Sequence, residues 1–249
     1  NIVRNNIVAD CNGFGFWMTF PPQPWGMNIS VLDSVGLLLR PNRLRFGVFD
    51  NNTTHSNNRD GIMFDEVEIN NSGGTAPLQY YSTTNGRDAQ WPNRTLRRFT
   101  LSKFSTWKNK DNGIWDRSAW VNNFEAISAD NCGRFFAGSG ADGLIDRCLV
   151  IGTSLNHMTN NTDRPPQADF ASGFSSSTPV AFATYHSTFD IKNNIVINFP
   201  AAEQARSGVF ATEDYYITGV DKGQVRNTNN LMIQSHPGVK IKSLFDYFN

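Results

Sequence analysis

A glycine followed by a short apolar or aromatic run returns along this chain. It appears as Gly15-Phe16-Trp17-Met18, Gly36-Leu37-Leu38-Leu39, Gly61-Ile62-Met63-Phe64, Gly113-Ile114-Trp115, Gly133-Arg134-Phe135-Phe136 and Gly208-Val209-Phe210. Successive glycines stand 21, 25, 52, 20 and 75 residues apart. These intervals divide into one, one, two, one and three turns of a coil of about 20 to 26 residues, the spacing of a solenoid. Ahead of several glycines lies an Asn-rich block that reads as strand, polar turn, strand: Asn5-Asn6-Ile7-Val8, Phe49-Asp50-Asn51-Asn52, Val121-Asn122-Asn123-Phe124 and Ile191-Lys192-Asn193-Asn194-Ile195-Val196. One coil of short strands cannot bury its inward face, but stacked coils bury one another, and Asn at a corner can bond to the Asn above and below. The expected fold is all-β, a right-handed parallel β-helix with loop insertions, forming a single domain over 1–249. Phe16, Ile62, Ile114 and Phe135 are expected to point into its shared core, with Trp17 and Trp115 stacked beside them.

The residue balance agrees with strands joined by polar turns. The chain holds twenty-nine Asn but only five Glu, alongside nineteen Phe and six Trp, which disfavours long helices. Lys plus Arg equals Asp plus Glu at 22 each, so the basic footprint that drives nucleic-acid binding is missing. No apolar run approaches the roughly 20 residues of a membrane span. The sequence starts at Asn1 rather than Met, the expectation being a processed chain or a fragment with further coils at its ends.

Two stretches break the period and read as insertions, near 70–97 and 156–179, with Pro21-Pro22-Gln23-Pro24-Trp25 a shorter excursion. Insertions gather on one face of a solenoid, often the binding face. Six Asn stand in glycosylation sequons: Asn28, Asn51, Asn52, Asn70, Asn93 and Asn160. They point to secretion, hence to an extracellular or cell-surface location. Cys11, Cys132 and Cys148 are an odd number, and their pairing stays open.

An ordered series carries a family resemblance. Asn5-Asn6-Ile7-Val8-Ala9 leads to Gly13-Phe14-Gly15-Phe16-Trp17. Asp50-Asn51-Asn52-Thr53-Thr54-His55-Ser56 then leads to Gly61, and Phe104-Ser105-Thr106-Trp107-Lys108-Asn109 to Gly113-Ile114-Trp115. The series resembles the parallel β-helix region of the fibrocystin and cell-surface hyaluronidase group, across roughly residues 1 to 155. The resemblance implies a large secreted or membrane-anchored ectodomain, with hyaluronan-active relatives beside others of no known catalysis. His55-Ser56 and Trp107-Lys108-Asn109 with Gly113 match the group's motifs.

Candidate chemistry falls into three sets. Asp10, Asp60, Asp111 and Asp130 precede repeated glycines and, with coils in register, would form a row of carboxylates able to take calcium or supply an acid and base; Asp before Gly is equally an ordinary turn pair. No other cofactor is implied, and no His or Cys spacing fits a transition metal. Within that set His55 and Asp60 are the candidate catalytic pair, while Asp116-Arg117 and Asp146-Arg147 would array opposite charges on the outer surface. Third, Trp25, Tyr80, Tyr81 and Trp91 lie in the excursions, where exposed rings serve as contacts to sugars or proteins. Two functions follow: a non-catalytic extracellular structural or adhesive β-helix whose loops contact glycans or neighbouring proteins, or a hydrolase or lyase that depolymerises hyaluronan or another acidic glycan.

Overall fold

The computed structural model describes residues 1–21, 24, 30, 32, 40–44, 46–64, 67–69, 74–76, 99–117, 121–131, 133–139, 143–152, 154, 180–184, 188–199, 208–212 and 224–235. Within them the chain winds through seven coils. The first contains β1 (Ile2–Arg4), β2 (Ile7–Ala9) and β3 (Phe16–Trp17); the second β4 (Val48–Asp50), β5 (Thr53–His55) and β6 (Ile62–Phe64). An antiparallel hairpin, β7 (Val67–Ile69) and β8 (Gly74–Ala76), follows. The third coil holds β9 (Phe99–Ser102), β10 (Ser105–Trp107) and β11 (Ile114–Arg117), and the fourth β12 (Val121–Phe124), β13 (Ile127–Ala129) and β14 (Arg134–Ser139). The fifth holds β15 (Gly143–Asp146), β16 (Leu149–Ile151) and β17 (Val180–Thr184), the sixth β18 (Thr188–Lys192), β19 (Ile195–Ile197) and β20 (Gly208–Thr212), and the last β21 (Gln224–Thr228) and β22 (Leu231–Ile233). First strands of successive coils pair in parallel to form one seven-stranded sheet, A; second strands form a seven-stranded sheet, B; third strands form a six-stranded sheet, C. This is a parallel β-helix, as expected.

Its corners explain the asparagines. Sheet A passes to sheet B through two residues in every coil, the first in the left-handed region: Asn5, Asn51, Lys103, Glu125, Arg147, Asn193 and Asn229 all have φ between 48° and 59°. Asn tolerates that conformation better than most residues. The second residue points inward, and where it is Asn it ties coils together. Asn6 Nδ2 donates to Asn52 Oδ1 at 2.9 Å, and Asn52 Nδ2 donates to Val3 O at 2.9 Å. Asn194 Nδ2 donates to Asn230 Oδ1 at 2.8 Å. A second ladder stands where the chain leaves sheet B: Asn57 Nδ2 donates to Asn109 Oδ1, and Asn109 Nδ2 to Asn131 Oδ1, each at 2.8 Å. One expected turn fails. Asn122 and Asn123 lie inside β12, and the corner falls instead at Glu125 and Ala126.

The core is built of inward columns. In sheet C, Phe16, Ile62, Ile114, Phe136, Phe182 and Phe210 succeed one another in register. Ile62 and Ile114 are fully buried, and the Phe136, Phe182 and Phe210 rings stack at 5.8 and 5.7 Å between centroids. The fourth member is Phe136; the side chain of Phe135, the residue expected there, lies outside those described. Trp17 also departs from expectation: it lies on the outer side of its strand, 48% exposed.

The recurring glycines are sites of close approach. A Cβ on Gly15 would sit 1.8 Å from Thr54 Oγ1, and one on Gly61 would sit 2.2 Å from Thr106 Oγ1. The interior Thr and Asn side chains of the adjoining coil thus occupy the space a larger residue would need. Coil counting from the glycines needs correction in three places, the first being Gly15 to Gly61, which spans one coil, from β3 to β6, rather than two. Gly61 to Gly113 spans one coil, from β6 to β11, and Gly133 to Gly208 spans two, from β14 to β20. The excess length lies in the connections flanking sheet C, which a fixed period misreads as extra turns.

Candidate functional site

Sheet B carries the candidate groups on its outer face. Each of its strands is three residues long, with the middle residue facing the core: Thr54, Thr106 and Ser128 are fully buried there, as are Val150 and Val196. The flanking residues face out in two registered columns. One is Ile7, Thr53, Ser105, Ile127, Leu149, Ile195 and Leu231; the other is Ala9, His55, Trp107, Ala129, Ile151, Ile197 and Ile233.

His55 and Trp107 are half-buried neighbours in the second column. Their rings stack at 4.8 Å between centroids with planes 7° apart, and His55 Nδ1 lies 3.1 Å from Ser56 Oγ. Asp60 has a different setting. It sits in the turn leading into β6, 3% exposed, where its Oδ1 accepts from Asn112 N at 2.9 Å and Asn112 Nδ2 at 2.6 Å. In this position the carboxylate continues a corner ladder into the next coil, so the candidate pair occupies separate surroundings: an outer sheet face and an interior turn.

The expected row of carboxylates does not form. Asp10 and Asp130 share the left-handed column at the exit from sheet B, but Ser56 and Lys108 stand between them. Asp60 aligns with Asn112. Asp111 pairs with Arg59 at 3.8 Å, and both Asp130 oxygens accept from Ser154, N and Oγ, at 2.7 Å. Among the described residues no group of three His, Cys, Asp or Glu side chains converges as a metal site would require. The expected outer array of Asp–Arg pairs does not form either. Asp116 and Asp146 lie in different sheets and are both buried. Asp146 accepts from Arg147 at 3.0 Å and from Asn193 at 2.9 Å.

Trp25, Tyr80, Tyr81 and Trp91 lie outside the described residues, as do Asn28, Asn70, Asn93, Asn160 and Cys132. Of the two overlapping sequons, Asn51 is exposed with Nδ2 donating to Asn5 Oδ1, whereas Asn52 is 1% exposed within the interior ladder. Cys148 is buried, and that burial pushes its thiol up to about 12. Reading the sequence alone passed over one feature: the outer face of sheet B in its last four coils is aliphatic throughout. Ile127, Ile195, Leu231 and Ile233 each expose 40% or more of their surface. The available signal is the triplets Leu149-Val150-Ile151, Ile195-Val196-Ile197 and Leu231-Met232-Ile233, apolar at the flanks where a half-exposed strand normally alternates.

Comparison with known proteins places these coils in a family context. Residues 1–62 match the family model described as CEMIP beta-helix. Cell surface hyaluronidase CEMIP2 of Homo sapiens is 27% identical over 172 residues, 63% of this chain and 12% of that protein. Cell surface hyaluronidase of Danio rerio is 25% identical over 166 residues, 64% of this chain and 12% of the relative. The chain therefore spans about an eighth of the length of the curated relatives it matches.

Proposed function

We propose that this chain, which carries the β-helix of the cell-surface hyaluronidase group, is a rigid extracellular module that contacts acidic glycans without cleaving them. Both relatives are named for the cell surface and for hyaluronan, which supports that setting and that ligand class. The observation that carries the binding reading is the outer face of sheet B. Seven strands run there without a break, a surface about 29 Å long at the usual strand spacing, with a ring stack across the second and third strands and aliphatic columns along the last four. A long flat track of rings and apolar side chains suits an extended polymer whose sugar rings offer apolar C–H faces. Coils locked by interior ladders keep such a surface fixed, so little ordering entropy is lost on contact.

Depolymerisation is the second reading, favoured by the relatives' names. It calls for a base and an acid converging on one bond, and Asp60 is engaged in a corner ladder rather than directed toward His55's face. The test uses the 249-residue chain on high-molecular-weight hyaluronan and chondroitin sulfate, with binding read by surface plasmon resonance and polymer length by size-exclusion light scattering. Binding with unchanged polymer length is the expected result. Shortening of the polymer that disappears in His55→Ala overturns this reading in favour of catalysis.

A further inference from the structure

The stacked rings on sheet B leave a gap beside them. Their centroid separation of 4.8 Å equals the distance between neighbouring strands, about 4.8 Å. With planes 7° apart the two rings stack, and the pair runs along the sheet from one coil to the next. His55 covers one face of Trp107. The other face looks toward the next coil, where the registered residue is Ala129, and the coil after that presents Ile151 in the same column.

A methyl group between two large side chains leaves a slot. The strands that carry Trp107 and Ile151 are two spacings apart, about 9.6 Å. A ring resting on the indole at contact distance, about 3.5 to 4 Å, leaves roughly 5 to 6 Å beyond it, enough for its far side to touch Ile151. The opening is thus one saturated sugar ring thick, floored by Ala129 and walled by Trp107 and Ile151, all three only half-buried.

Charge at the rim selects the occupant. Lys108 follows Trp107 directly, in the left-handed conformation at the exit from sheet B, with φ 54°, and is half-exposed. The acid one coil further on, Asp130, is 7% exposed with both carboxylate oxygens accepting from Ser154. The exposed charge beside the slot is therefore a cation.

We propose that the slot between Trp107 and Ile151 is a stacking subsite for one uronic-acid ring of an acidic polysaccharide, whose carboxylate is taken by Lys108. This rests on the glycan-contact reading above and assigns that contact to a defined place. The pyranose C–H face lies on the indole, and the carboxylate projects over the corner to the ammonium group.

The experiment titrates the 249-residue chain with two probes, a hyaluronan octasaccharide and an uncharged N-acetylglucosamine hexasaccharide, by calorimetry and tryptophan fluorescence. Ala129→Leu fills the slot from an outward, half-exposed position. Trp107→Ala removes its wall, and Lys108→Asn removes the charge while tolerating the left-handed backbone. Each variant is first checked for a native melting curve. Ala129→Leu and Trp107→Ala are expected to weaken octasaccharide binding at least tenfold. Lys108→Asn is expected to weaken it severalfold and flatten its salt dependence, with the neutral probe unaffected. A parent that binds the octasaccharide beside a folded Ala129→Leu that binds it within twofold removes the subsite but leaves the glycan-contact reading standing. Equal loss of both probes in Lys108→Asn removes the assignment to an acidic ring. A parent that binds neither probe at millimolar concentration removes both the subsite and the reading beneath it.

Discussion

Replacing Asn109 with Ala tests whether the interior ladders hold the coils together. Asn109 is fully buried. Its Nδ2 donates to Thr106 Oγ1 and to Asn131 Oδ1, both at 2.8 Å, and its Oδ1 accepts from Asn57 N at 3.2 Å and from Asn57 Nδ2 at 2.8 Å. Alanine deletes all four bonds, but most partners keep another. Asn57 Nδ2 still donates to Thr54 Oγ1, Thr106 Oγ1 still donates to Gly113 O, and Asn131 Oδ1 still accepts from the backbone N–H of residue 109. The Asn57 backbone N–H loses its side-chain acceptor in a buried corner. An orphaned buried donor costs about 1 to 3 kcal/mol, and each of the other bonds contributes about 1 net. The sum is about 4 to 6 kcal/mol, a large share of the roughly 5 to 15 kcal/mol that holds a domain folded. Asn58→Ala is the control, because Asn58 is exposed and bonds Asn12 Oδ1 at 3.2 Å in an outer ladder; its cost should stay within about 0.5 kcal/mol. Urea unfolding followed by tryptophan fluorescence measures both. Asn109→Ala should lower the midpoint strongly, and a fall in the slope as well would indicate coils unfolding separately. A midpoint for Asn109→Ala as high as that of Asn58→Ala would refute the ladder as a source of stability.

Three further outcomes are expected. Gly61→Ala should destabilise by about 3 kcal/mol or more in the same unfolding assay, because its Cβ would lie 2.2 Å from Thr106 Oγ1, whereas Gly13→Ala, with nothing within 4 Å, should be nearly neutral. Burial raises the Cys148 thiol to about 12, so the folded chain keeps its proton where an unfolded thiol, with a pKa near about 8.5, loses it. The parent should therefore be fully stable with respect to this group below that pH and lose about 1.4 kcal/mol per pH unit relative to Cys148→Ala as pH rises toward 12; parallel pH profiles would contradict this. In protein from a secreting host, glycopeptide mass spectrometry should find any glycan of the overlapping sequons on exposed Asn51 and not on buried Asn52.

Much of this architecture is legible in the sequence, and its misreadings have physical causes. Gly15 and Gly61 mark equivalent places in successive coils because an interior Thr and Asn from the adjoining coil press on them. Nothing in their spacing reveals that pressure, since it arises only once coils stack. Nor does spacing distinguish an inserted segment from an added turn: 52 residues separate Gly61 from Gly113, yet β6 and β11 are neighbours. Trp17 reads as core from its apolar company, but its outward place follows from alternation about Phe16, whose ring meets Phe49 inside. Asp60 reads as a catalytic acid from its turn position, while the amide of Asn112 that it accepts from lies 52 residues further along.

The faces of sheet B show a rule that local hydrophobicity hides. In Ile195-Val196-Ile197 all three residues are apolar, so periodicity cannot say which one enters the core. The corners can. A left-handed residue precedes every strand of this sheet, and in six of the seven another follows five positions on: Asn5 and Asp10, Asn51 and Ser56, Lys103 and Lys108, Glu125 and Asp130, Asn193 and Asn198, Asn229 and Gln234; Arg147 precedes β16, which Gly152 follows without a positive φ. Between each pair the side chains run in, out, in, out, so Val196 is buried while Ile195 and Ile197 face outward. The same five-residue unit leaves no position for an insertion, and the lengthened connections all adjoin sheet C instead. Sheet B consequently keeps one register through all seven coils. A surface of constant repeat along one axis matches a polymer of constant repeat, and this is the physical reason to look for glycan contact there. Lengthening one corner tests that step: a single Gly inserted between Glu125 and Ala126 should shift β13 by one residue or force a bulge, breaking the Trp107-to-Ile151 column. Octasaccharide binding should then be lost while circular dichroism still reports a β-helix; retained binding in such a variant would show that continuity of this face is not what the ligand reads.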